Sequence, residues 1–62
     1  MCEATAYILK NGREEPLVEA VETMEIHHDH VKITSLFGEE RRVPARVKAL
    51  LLVDHKILLE PI

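Results

Sequence analysis

A chain of 62 residues with a single cysteine has no internal disulfide to brace it. That restricts how it can hold together, because a chain this short buries only roughly 60% of the surface its unfolded form exposes. A metal or a partner subunit usually supplies what so thin a core lacks. Hydrophobic residues make up 47% of the chain and charged residues 31%, the balance of a globular domain rather than a disordered tail. One domain over residues 1–62 is expected, with no linker, internal repeat or low-complexity stretch.

Turn signals divide the chain into short segments. Asn11-Gly12 lies between Ala4–Leu9 and Pro16–Val18, and this dipeptide supplies the positive φ angles of a tight hairpin. Val31–Leu36 alternates apolar and polar residues, and Gly38 breaks the run before Arg41-Arg42-Val43, which predicts a second hairpin. Val47–Val53 is apolar and is followed by Asp54-His55, which suits a turn into Lys56–Leu59 and a third hairpin. Two stretches stay ambiguous. Leu17–Ile26 can be read as strand or helix by spacing, and Pro44 could open a helix over Ala45–Leu52. Taken together, the segments predict an all-β fold: a small antiparallel SH3-like or Sm-like barrel of five to six short strands.

Strand side chains alternate, so Ala4, Ala6 and Ile8 facing inward puts Thr5, Tyr7 and Leu9 outside. The same rule sets Leu50, Leu52 and Leu58 opposite Val47, Ala49, Leu51, Ile57 and Leu59. Apolar residues on both faces of so small a sheet predict a covered second face, most simply in a homodimer, the alternative being a tightly curled barrel with residual apolar exposure.

Several function classes are argued against. The longest apolar run, Ala49–Val53, is far below the ~20 residues of a membrane span, and nothing basic precedes an apolar run near the start, so a cytoplasmic protein is expected. A net charge of −3 repels nucleic acid, and the one basic cluster, Arg41, Arg42, Arg46 and Lys48, has little aromatic surface beside it. Glu14-Glu15 and Glu39-Glu40 are sequential in strands and point to opposite faces. With no phosphate loop, no nucleophile elbow and a single serine, Ser35, the chain is not expected to be an enzyme.

The candidate site is at the start of the chain. Cys2 can offer its thiolate and its own amide nitrogen, and Met1 the terminal amine. A soft thiolate with nitrogens in one plane suits square-planar Ni(II) or Cu(II), whereas zinc prefers several Cys and His together. Removal of Met1 would leave amine plus thiolate on Cys2 itself. The alternative is that Cys2 packs as a small hydrophobe. His27-His28-Asp29-His30 falls in a predicted turn and reads first as solvated turn residues, as does Asp54-His55.

Met1-Cys2-Glu3-Ala4, Tyr7-Ile8-Leu9, Leu36-Phe37-Gly38-Glu39, Ala45-Arg46-Val47 and Val53-Asp54-His55-Lys56-Ile57-Leu58-Leu59 together resemble the CooT family across nearly the whole chain. The resemblance implies an SH3-like homodimer that binds Ni(II) through Cys2 and serves nickel delivery or maturation for carbon monoxide dehydrogenase. Only Cys2 carries that chemistry over. Members of the family are also labelled predicted RNA-binding proteins, an inference from fold. The Met-Cys start is similar too to the HypC maturation chaperones, but the proline and glycine usual after it are missing here.

Overall fold

The computed structural model describes residues 3–62 and contains six strands: β1 (Ala4–Lys10), β2 (Arg13–Ile26), β3 (Val31–Ser35), β4 (Glu40–Val43), β5 (Ala45–Leu51) and β6 (Lys56–Pro61). The all-β expectation holds, and both ambiguous stretches are strands. They form one sheet in the order β4-β3-β2-β1-β6-β5. The edge strands β4 and β5 are consecutive in the chain, joined by Pro44 alone. In a flat sheet they would lie roughly 24 Å apart at about 4.8 Å per strand. Val43 to Ala45 can reach only about 7 Å. The sheet must therefore curl into a half-barrel that brings the ends of β4 and β5 together at Pro44, and β3 approaches β5 across the interior. Pro44 suits the corner because it has no N–H to leave unpaired, and its carbonyl accepts from the Ile62 N–H at 3.1 Å.

All three predicted hairpins are present. Asn11 and Gly12 have φ of 52° and 78°, as a two-residue turn with both central residues left-handed requires. The β3–β4 turn is held by Ser35, almost wholly buried, whose Oγ accepts from the N–H groups of Phe37 at 3.1 Å and Glu39 at 3.2 Å.

One pairing departs from the expected antiparallel pattern. β1 runs parallel to β6, with Ala6 beside Ile57 and Ile8 beside Leu59. The parallel pair arises because β6 reaches β1 only after the chain has passed through β2 to β5, a connection long enough to reverse direction freely.

β2 is the corner of the barrel. Along it the register slips opposite Ala6/Tyr7, opposite Ala4/Ala6 and again between Val21 and Thr23, each slip adding a residue on the β2 side. Such bulges bend a strand and raise its twist, which lets one 14-residue strand pair with β1 along its first part and with β3 along its last. At the bend Ala20 takes a φ of 54°, and its carbonyl accepts from the Leu36 N–H at 2.8 Å.

The core comprises Ala6, Ile8, Val18, Val31, Ile33, Val43, Ala45 and Leu59, with Leu17, Val21, Met24, Val47 and Ile57 packed at its rim. Every strand contributes, in keeping with the predicted inward set of β1. In β5 the predicted faces change part-way. Val47 pairs with Leu59 but Ala49 pairs with Leu58, so Lys48 is an extra residue that reverses the alternation. Leu50 therefore shares a face with Ile57, while Ala49 and Leu51 lie on the outer face with Leu58 and Lys56. Leu58, expected on an outer face covered by a second copy, is only 8% exposed within the single chain. It sits beside Tyr7, which with Leu9 is half-buried on the same face.

Candidate metal-holding terminus and its surroundings

Cys2 and Met1, the residues singled out as metal ligands, lie outside the described residues. What the structure defines is the setting into which they lead. Glu3 is exposed, Ala4 pairs with Val21 just beyond the β2 bend, and the Thr5 N–H donates to the His55 carbonyl at 3.0 Å. The chain thus enters the sheet between the corner of β2 and the β5–β6 turn. Thr5 is also the register partner of Lys56. The Lys56 ammonium pairs with the Glu14 carboxylate and lies 4.9 Å from the centre of the Tyr7 ring. The hydrogen bond with Glu14 raises the Lys56 pKa above its ordinary value, with burial opposing and the negative groups around it assisting.

This end of the sheet is unusually apolar for a surface. Leu52 is 77% exposed and Val53 93%, and they continue from Leu50 and Leu51 on β5. Across Val21, the β3–β4 turn adds Leu36 and Phe37, the latter 77% exposed. Beside Phe37 lies a groove of about 290 Å³ lined by Leu17, Val18, Glu19, Glu39 and Arg41.

The basic cluster is dispersed. Arg41 is the register partner of Ile33 and its Nη1 donates to the Leu17 carbonyl at 3.5 Å. Arg42 is on the other face with Lys32, and Lys32 is shared between Glu25 and Glu40 at 3.6 and 3.5 Å. Arg46 Nε holds Glu60 at 2.8 Å. Lys48 is an exposed extra residue of β5. The cluster's four cations, Arg41, Arg42, Arg46 and Lys48, are thus spread over β4 and β5, with Arg41 and Arg42 on opposite faces, and form no single track for phosphates.

His27-His28-Asp29-His30 forms the β2–β3 loop, as expected, closed by the His27 N–H donating to the His30 carbonyl at 2.9 Å. Sequence reading missed what the closure does to the side chains: the rings of His27 and His30 stack, 4.4 Å between centroids and 13° from parallel. Asp29 Oδ1 lies 2.6 Å from His30 Nδ1, and this hydrogen bond holds the Asp29 carboxyl below its usual value, with His28 adding a weaker electrostatic pull. Spacing offered a faint signal, since residues three apart across a two-residue turn return to the same rung. Among the described residues no three donor side chains converge on one point as they stand. No helix among them is long and apolar enough to cross a membrane.

Residues 1–60 match the family CooT, described as CO dehydrogenase accessory protein CooT. The chain belongs to the CooT family. A crystal structure of a Carboxydothermus hydrogenoformans protein assigned as a CooT is 36% identical to it and superposes with a TM-score of 0.88, covering 98% of each chain. No match was found among curated proteins. The chain is thus a member of a family of CO dehydrogenase accessory proteins, and it shares the curled sheet with that crystal structure over nearly its whole length.

Proposed function

We propose that this CooT-family chain is a nickel-binding accessory protein, a Ni(II) carrier or sensor for the maturation of carbon monoxide dehydrogenase, that catalyses no reaction itself. The observation that carries this reading is the match to CO dehydrogenase accessory proteins over residues 1–60, which includes the thiol at Cys2. Cys2 holds the ion through its thiolate, with its own amide nitrogen and the amine of Met1 completing a sulfur and nitrogen donor set. The ligands must lose protons to bind, so affinity falls as the solution is acidified.

The protein works in this reading as a homodimer in the cytoplasm. Support comes from the apolar end of the sheet, where Leu50, Leu52, Val53 and Phe37 are exposed around the point at which β1 begins. Covering that end with a second copy would remove apolar surface from water and bring two N-termini towards one another.

Calorimetric titration of Ni(II) into the intact chain and into Cys2→Ala tests the assignment. Loss of the tight binding step in Cys2→Ala, together with loss of sulfur-to-nickel charge-transfer absorption, is expected. Equal affinity in the two proteins removes Cys2 from the site.

A further inference from the structure

The β2–β3 loop carries a second cluster of metal-ligating side chains that the N-terminal site does not use. We propose that His27 and His30 form an independent binding point for a divalent ion of the Ni(II), Cu(II) or Zn(II) class, with Asp29 as the positioning residue of His30 and water filling the remaining coordination positions.

The argument rests on which ring nitrogens are occupied. His30 Nδ1 lies 2.6 Å from Asp29 Oδ1, so in the neutral ring the proton is held on Nδ1 and the lone pair of Nε2 is left open. A carboxylate on the distal nitrogen is the arrangement that orients imidazole ligands in metal sites and raises their basicity. His27 repeats the pattern less tightly: its Nε2 lies 3.5 Å from Glu25 Oε1, which leaves Nδ1 as its open nitrogen. The backbone hydrogen bond from His27 to His30 fixes both residues on one rung, directly after the Ile26–Val31 pair, so the two rings are neighbours in any conformation that keeps the hairpin.

Asp29 and Glu25 give the loop a negative field for a cation, offset in part by Lys32 against Glu25. Imidazole is a donor shared by nickel, copper and zinc. The lone pairs of stacked rings run side by side rather than meeting, so one ring must turn away from the stack to bind. His27 and His30 are both partly solvent-exposed, so one ring can turn into solvent without displacing a core side chain. His28 is not required. Its side chain is 93% exposed and its Nε2 is 4.0 Å from Asp29 Oδ2.

The test uses the full chain carrying Cys2→Ser, so that its outcome is separate from that of the N-terminal site. Zn(II) is titrated while the ring nitrogen resonances of His27, His28, His30 and His55 are followed by NMR. Saturable shifts at His27 and His30 are expected. Affinity should fall about tenfold or more in His27→Gln and in His30→Gln, and roughly tenfold in Asp29→Asn, in line with the loss of an orienting partner. In His28→Gln it should stay within about twofold. These are loop residues, and unchanged far-UV circular dichroism establishes that each variant is folded. The proposal is overturned if Zn(II) leaves the His27 and His30 rings unshifted, or if His27→Gln and His30→Gln bind as tightly as their parent.

Discussion

Ala20 offers the sharpest check on how this sheet is bent. It occupies the left-handed region at φ 54° with a buried methyl group, a conformation that costs an L-residue about 1–2 kcal/mol. Ala20→Gly relieves that strain. It also sacrifices about 0.8 kcal/mol of methyl burial and about 0.5–1 kcal/mol in backbone entropy. Gains and losses nearly cancel, so the variant should be within about 0.5 kcal/mol of the parent. Ala6 is the control: it is fully buried in β1 and is not among the residues with positive φ. Ala6→Gly suffers the same two losses with no strain to relieve, and should cost about 1.5 kcal/mol. Urea unfolding at one fixed protein concentration reads the difference. With a slope near 1 kcal/mol/M for so small a domain, the midpoints should differ by roughly 1–1.5 M. Equal losses in Ala20→Gly and Ala6→Gly would refute the account of a strained corner in β2.

Two further outcomes follow from the same geometry. Ser35→Ala should destabilise the protein by about 1–3 kcal/mol, because the N–H groups of Phe37 and Glu39 lose their acceptor beneath the β3–β4 turn, and thermal unfolding should show it. The pKa of Lys56 is raised in the folded state by Glu14, so its contribution is full below the ordinary lysine value near 10.5 and is lost as pH climbs through the raised one. The stability advantage of the parent over Lys56→Met should accordingly shrink in strongly alkaline urea titrations, and an advantage unchanged to the highest pH would exclude the ion pair as its source.

Local chemistry determined much of this protein. Asn11-Gly12, Gly38 and Asp54-His55 are turn signals whose backbone preferences act within a few residues, and they mark all three hairpins. Alternation along Ala4–Leu9 assigned the inward face of β1 for the same reason. Cys2 is proposed to hold the metal on the strength of its donor atoms and of the family resemblance, and it lies outside the described residues. The tertiary structure decided what depends on distant strands. Lys48 looks like any surface lysine, yet as the extra residue opposite Leu58 and Leu59 it reverses the faces of Ala49, Leu50 and Leu51. Ala20 has no sequence mark of a left-handed residue, and takes that conformation because β2 must serve two neighbours in a sheet curled back on itself at Pro44. His27 and His30 likewise become partners only once a backbone hydrogen bond across the loop sets them on one rung. Register and curvature are set by pairing between segments far apart in the chain, and no short stretch of sequence contains that information.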